Sequence, residues 1–237
     1  MIMSAANLKQ RIHNGEHVYG ANASLSTSRE DLIARVENGG YDFVAVDSQH
    51  SPHNEDRLVA FCNMANELGI PVNFRIKHTR NAYLIGNYLD LGPSGIEVPQ
   101  VELDETVDEA VAAFYYPQQG IRSWGGAPRV NSEGKERLEY AEWWNSSGIL
   151  WMQIESIEAV THARHLAKPG VDCLSFGPAD LTFSIEGHPN HSLQTVDACV
   201  EYVARALEGT TTAVCFRNGN PSTRQKYADM GVTVFLE

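Results

Sequence analysis

The chain has 237 residues, 20% of them charged and 43% apolar, the balance of a soluble globular protein that can bury one sizeable core. Its net charge of −12, with no Lys/Arg cluster and no basic helix face, argues against a nucleic-acid partner. No apolar run approaches membrane-spanning length, and the start MIMSAANLKQRI lacks the apolar centre of a signal peptide, so neither a membrane nor export is expected.

Taken in order, strand and helix patterns alternate. Residues 4–13 read as a lead-in helix ended by Asn14-Gly15, and 18–22 as a short first strand. Ser28, with Asp31 three residues later, has the form of a capping box; the helix it starts carries Leu32, Ile33 and Val36 and stops at Asn38-Gly39-Gly40. The second strand is 43–46, followed by a helix marked by Leu58, Phe61, Cys62, Ala65 and Leu68 and closed by Gly69. The third strand is 72–76, the next helix 83–91, and the fourth strand 95–98, cut off by Pro99.

A helix over 105–114 leads into a loop-rich excursion at about 116–148, a length that in a compact domain usually marks a lid or an interface. Strands follow at 149–154 and 171–176 with a helix between them. A long amphipathic helix is read over 193–207 and a seventh strand over 213–216. A helix with Pro221 in its first turn precedes an eighth strand over 232–236. Cys62, Cys173, Cys199 and Cys215 form no C-x-x-C, and three sit in apolar context; reduced buried thiols and a cytoplasmic location are expected.

Eight short strands separated by helices predict a single α/β domain over 1–237, a (β/α)8 TIM barrel. An open doubly wound sheet is the alternative, weakened because no Gly-rich fingerprint follows the first strand. No sequence remains for a helix after the eighth strand. The final helix is therefore expected to be missing, with one apolar side of the wall bare or covered by another chain, which points to a homo-oligomer.

The fifth strand runs into Glu155 and the sixth into Gly177-Pro178-Ala179-Asp180. Parallel strands joined by a crossover helix lie side by side, so both acids should face one rim. Two carboxylates there suit a hard divalent cation with positions left open for substrate. Each acid also has a plainer reading, as a helix N-cap or a solvated loop residue. Asp47 and His50 after the second strand and Arg75 on the third fall on the same rim, where barrel chemistry is sited. The spacings His50/His53 and His188/His191 hint weakly at zinc, with no third nitrogen or sulfur ligand near.

Several segments occur in an order that resembles a known family: Tyr41 to Pro52 around Asp47-Ser-Gln-His50, the Arg75 strand, Leu89-Asp90-Leu-Gly92 with Glu97-Val-Pro99, Tyr116-Pro117-x-x-Gly120-x-Arg122, Gln153-Ile-Glu155, and Phe176-Gly-Pro-Ala-Asp180-Leu181. The chain is similar to the metal-dependent hydroxy-oxo-acid aldolases, the 4-hydroxy-2-oxoheptanedioate and 2-keto-3-deoxy-sugar-acid group related to the citrate lyase β chain. That resemblance implies a class II pyruvate aldolase taking a 2-oxo acid and an aldehyde. It implies that Glu155 and Asp180 hold Mg²⁺, Mn²⁺ or Co²⁺ and that Gln153, Gly177, Pro178, Ala179 and Asp180 line the oxo-acid site. Arg75 would act on the keto oxygen, and Asp47 would orient His50 as the proton carrier.

The departures from the family pattern are Gln49 where Glu is usual before the histidine, Ser123 where Gly is usual, and the missing last helix. A decayed member that binds metal and oxo acid without turnover is therefore a second reading. A metal-independent glycoside-hydrolase-like barrel using Glu155 and Asp180, with Trp124, Trp143 and Trp144 lining its cleft, is a third.

Overall fold

The computed structural model describes residues 5–125 and 134–237. Eight parallel strands close a barrel in the order β1 to β8. They are β1 (Val18–Ala23), β2 (Phe43–Asp47), β3 (Val72–Arg75), β4 (Gly95–Val98), β5 (Ile149–Ile154), β6 (Cys173–Phe176), β7 (Ala213–Arg217) and β8 (Val234–Leu236). The expected barrel is present, and the open sheet is excluded by the pairing of β1 with β8.

Strand alternation divides the residues between two cores. Val44, Val46, Phe74, Ile96, Val98, Leu150, Met152, Leu174, Phe176 and Phe216 face outward and pack under the helices. Phe43, Ala45, Ile149, Trp151, Cys173, Cys215, Val234 and Leu236 face inward and fill the lower bore. Gly20 is required there: a Cβ at that position would lie 2.1 Å from the Phe43 ring.

Helix α1 (Ala5–His13) plugs the bottom of the bore with Leu8 and Ile12, which are 2% and 1% exposed. The plug is tied down by a buried charge cluster. Lys9 Nζ donates to the Gly148 carbonyl at 2.7 Å and to Tyr115 Oη at 3.1 Å, and lies 3.2 Å from Asp172 Oδ1. Asp172, 1% exposed, also contacts His13 Nε2 at 2.7 Å and accepts the Leu150 N–H at 2.7 Å. Removing one partner of a buried pair strands the other charge, so Asp172→Asn is expected to lower stability by about 3 kcal/mol. Urea unfolding checks this; an unchanged midpoint would mean that the cluster contributes nothing net.

On the outer face lie α2 (Arg29–Gly39), α3 (Glu55–Glu67), α4 (Ile85–Asp90), α5 (Asp104–Phe114), α6 (Arg137–Ser147), α7 (Ile157–Leu166), α8 (Pro178–Gly187), α9 (Val196–Ala206) and α10 (Arg224–Asp229). Ser28 caps α2 by accepting the Asp31 N–H at 3.1 Å, and Gly40 ends it at φ 68°. Three sequence expectations are corrected. The last third of the 116–148 excursion is helical, since α6 occupies 137–147; residues 126–133 lie outside the described set. The 83–91 helix divides into a 3₁₀ segment, Thr79–Leu84, and α4. The 193–207 helix begins only at Val196, capped by Thr195, which accepts the Ala198 N–H at 3.1 Å.

The wall at β8 is not bare. Phe235 is 0% exposed and stacks with Tyr19 at 5.6 Å between ring centroids. Arg224 lies 4.1 Å from the Tyr19 ring and donates twice to Glu237, at 2.6 Å each, while Tyr41 Oη donates to Glu237 at 2.9 Å. An aromatic–ionic cover thus sits where an eighth helix was expected to be needed, and the homo-oligomer expectation loses that premise. All four cysteines are buried and free; burial pushes Cys62 up to about 12 and Cys199 to about 11, so neither is a ready nucleophile. Among the described residues no helix is long and apolar enough to cross a membrane.

Candidate active site

The residues singled out at strand ends meet at the C-terminal mouth of the barrel. Asp47 and Arg75 are register partners at the ends of β2 and β3. Arg75 binds the Asp47 carboxylate with both edges of its fork, Nε to Oδ1 at 2.8 Å and Nη2 to Oδ2 at 2.8 Å. Burial acts to raise the Asp47 carboxyl, but the hydrogen bonds and charge of Arg75 outweigh it and hold the group below the usual carboxylate range.

From Arg75 the network crosses to β5. Arg75 Nη1 donates to Gln153 Oε1 at 3.0 Å, and Gln153 Nε2 donates to Glu155 Oε2 at 2.8 Å. Asp47, Arg75, Gln153 and Glu155 therefore form one continuous chain of hydrogen bonds. Gln153, which the resemblance places among substrate-binding residues, is here the bridge between the arginine and the carboxylate.

Glu155 is 6% exposed, and its Oε1 has no hydrogen-bond partner. Burial first, and the charge of Asp180 second, push its carboxyl up to about 7. Gly177 makes room for this arrangement: a Cβ would stand 2.1 Å from Glu155 Oε2 and 2.6 Å from Gln153 Nε2. Pro178 occupies the first turn of α8, so the chain turns straight from β6 into the helix. Ala179 and Asp180 are exposed first-turn residues whose N–H groups the helix leaves unpaired, a ready anion site.

His50 is exposed and stays on the same loop. Asp47 reaches it through the backbone: Oδ1 accepts the Gln49 N–H at 2.9 Å and Oδ2 the His50 N–H at 3.3 Å. Asp47 thus holds the His50 backbone while Arg75 binds the same two carboxylate oxygens from the side. Gln49 Oε1 is buried without a partner.

Other readings of the sequence find their residues otherwise engaged. His53 packs on Phe74, with centroids 5.7 Å apart, and His188 Nδ1 contacts the Ser184 carbonyl at 2.7 Å. Among the described residues no three His, Cys, Asp or Glu side chains are grouped to hold a metal. Trp144, 2% exposed, donates to the Phe114 carbonyl at 3.0 Å, and Trp143 and Trp124 pack on Tyr140 at 5.4 and 5.7 Å. Of the three aromatics meant to line a glycosidase cleft, Trp144 is therefore buried and only Trp124 and Trp143 stay partly exposed. A cleft of about 450 Å³, lined by Tyr83, Asn87, Asp90, Arg122 and Ser123, opens beside α4 and α5; there Arg122 binds Asp90 at 2.8 Å and stacks on Tyr116 and Trp144.

A divalent ion fits this site on its own chemistry. Burial first, and the charge of Asp180 second, raise the Glu155 carboxyl, and one of its oxygens lacks any donor. A hard cation satisfies both conditions and leaves positions for substrate oxygens. Sequence reading missed one feature, an ion pair inside the bore: Arg217 Nη2 of β7 donates to Glu97 Oε2 of β4. The available signal was a single charge in each of two otherwise apolar strands, GIEV and AVCFR.

Residues 24–214 match the family HpcH/HpaI aldolase/citrate lyase. Among curated relatives, the hydroxypyruvate/pyruvate aldolase of Cupriavidus necator is 29% identical over 213 residues, spanning 88% of this chain and 78% of that protein. The hydroxypyruvate/pyruvate aldolase of Sagittula stellata is 33% identical, over 68% of this chain and 64% of that one. The 4-hydroxy-2-oxo-heptane-1,7-dioate aldolase of Salmonella arizonae is 28% identical, over 83% and 74% respectively. Among solved structures, the HpcH/HpaI aldolase from Desulfitobacterium hafniense superposes with a TM-score of 0.84 at 25% identity, covering 97% of this chain and 88% of that one.

Proposed function

The chain belongs to the HpcH/HpaI aldolase/citrate lyase family, and from that premise we propose that it is a divalent-metal-dependent carbon–carbon lyase. Its reaction is the reversible cleavage of a 4-hydroxy-2-oxo acid to pyruvate, or a close 2-oxo acid, and an aldehyde. The observation that carries this reading is the continuous Asp47–Arg75–Gln153–Glu155 chain, ending beside the Asp180 turn at one barrel mouth. Aldolase names among the relatives support it.

Glu155 and Asp180 would hold the ion, which when bound supplies a Lewis acid for the keto oxygen. The remaining roles belong to the chain itself. The Ala179 and Asp180 N–H groups receive the substrate carboxylate at the start of α8. Arg75, fixed on two sides by Asp47 and Gln153, presents its remaining N–H groups to the keto oxygen, where negative charge grows as the C3–C4 bond breaks. His50 takes the proton from the 4-hydroxyl, the bond electrons pass to the C2 oxygen, and C4 leaves as the aldehyde. Protonation of C3 then gives the 2-oxo acid. Incubation with pyruvate and a panel of aldehydes in Mn²⁺ tests this by mass spectrometry; the reading fails if no aldehyde yields a joined product. The unpartnered Gln49 Oε1 favours the second reading, a metal- and oxo-acid-binding protein that has lost turnover.

The raised Glu155 carboxyl gives a pH test. A folded-state pKa of about 7 against the ordinary 4.5 means the metal-free fold favours the protonated acid. That stabilisation is present at low pH and is lost as pH rises from 4.5 through 7. Glu155→Gln is therefore expected to be more stable than wild type at pH 8 in chelator, by about 2 kcal/mol, with the difference gone at pH 4.5. Urea unfolding at the two pH values measures it; equal midpoints at pH 8 would show that the carboxylate is not strained.

A further inference from the structure

The ion pair in the bore has no part in the chemistry described above. Glu97 and Arg217 share the inward parity of Arg75 and Cys215, and Glu97 is the register partner of Arg75. Arg217 stands one residue beyond the Phe176–Phe216 pair, level with Gly177. In a closed eight-stranded barrel β7 faces β3, so the Arg217 side chain must cross the bore to bond Glu97 on β4. Its guanidinium thus lies between the strand end carrying Arg75 and the strand ends leading to Glu155 and Asp180.

The two ends of the pair differ. The Glu97 side chain is 1% exposed and that of Arg217 is 18%, so the pair is a dipole with its positive end toward the mouth. Stability gives little reason to keep it. Taking two charges out of water costs several kcal/mol per ion, and apolar side chains of similar volume fill such a space at least as well. The arrangement also leaves Glu97 Oε1 and Arg217 Nε buried without partners.

We infer that Arg217 is a charged floor of the active site, held across the bore by Glu97 so that its guanidinium stabilises the anion that develops on the 2-oxo acid above it. The inference rests on the enolate chemistry proposed for this site. The carboxylate charge of pyruvate is the same before and during proton loss, whereas the enolate charge appears only on the way to the transition state. A floor cation therefore acts on kcat more than on KM. Glu97 bonds the guanidinium and fixes its position without drawing it out of the bore.

The test is exchange of the pyruvate methyl protons in heavy water, with inhibition by oxalate, a planar dianion resembling the enolate, as a second readout. Three variants serve: the charge-neutral pairs Glu97→Met/Arg217→Met and Glu97→Gln/Arg217→Gln, and Arg217→Gln alone, which leaves Glu97 without its partner; thermal unfolding identifies those that fold. Each folded variant is expected to lose about ten- to a hundredfold in kcat and in oxalate affinity, with pyruvate KM within about threefold. Arg217→Lys, which keeps the charge, should recover part of the loss. A folded neutral variant with wild-type kcat and oxalate inhibition would reduce the pair to bore filling. A rise in KM alone would also overturn the inference, because it would mean uniform binding of the carboxylate. If wild-type protein shows no exchange, the aldolase reading falls and this inference with it; if wild type exchanges and the variants match it, only the role of Arg217 falls.

Discussion

Chelation of divalent cations is expected to abolish aldol cleavage, by about a thousandfold or more, and added Mg²⁺, Mn²⁺ or Co²⁺ should restore it. The magnitude follows from the several kcal/mol that a Lewis acid contributes at an oxygen gaining charge, at 1.36 kcal/mol per tenfold. Only two carboxylates, Glu155 and Asp180, are available as protein ligands, with no third acidic, histidine or cysteine side chain grouped with them among the described residues. The ion should therefore be held loosely by the protein alone and much more firmly once a 2-oxo acid adds its own oxygens. Equilibrium dialysis with and without pyruvate measures that difference. Affinity should also rise with pH up to about 7, since the Glu155 carboxyl must lose its proton to bind. Full activity in excess chelator would remove the metal from the mechanism and leave Glu155 and Asp180 as a metal-free carboxylate pair.

The sequence carries the barrel because each repeat is punctuated. Apolar runs such as FVAV and CLSF read as strands, and Gly69, Gly92 and Gly231, at φ 67°, 112° and 100°, stop the helices between them. Helix α6 was hidden because its start depends on a reciprocal Glu136–Glu139 cap rather than a Ser or Thr, and because Leu138 on its surface is 72% exposed. Helix α8 has no counterpart in the sequence reading because Gly177-Pro178 is also a turn signal; the proline is the first helical residue.

At the site, each residue could be located singly because strand ends point to one rim. Asp47, Arg75, Glu155 and Asp180 needed only strand boundaries and parity. What stayed hidden were relations that need register and reach. Gln153 bridges Arg75 to Glu155 across two strands, and Arg217 meets Glu97 across the bore. The cover over Phe235 depends likewise on Arg224, Glu237 and Tyr41 converging from three elements, which no local pattern encodes.

Pyruvate alone, in heavy water with a divalent ion, is expected to exchange its methyl protons, which tests the enolate chemistry without knowledge of the aldehyde. Glu155→Gln, Asp180→Asn and Arg75→Ala should each slow exchange by about a hundredfold or more, the scale of losing one preorganised electrostatic stabiliser. Arg75→Ala also strips Asp47 of its bidentate partner and Gln153 of its donor, so its loss should be the largest of the three. His50→Ala should cost less, about ten- to a hundredfold, because its exposed ring leaves water able to carry the proton. Gln49→Glu separates the two functional readings. The buried, unpartnered Gln49 Oε1 stands where an acceptor is already present, and a carboxylate there adds charge in the loop that carries His50. If the site has decayed, the added acid should raise exchange by about tenfold or more, as a restored proton-transfer partner does; if the site is active as it stands, exchange should hardly move. Wild-type protein that binds both metal and pyruvate yet exchanges no faster than metal alone would overturn the lyase assignment and leave a binding protein built on the same barrel.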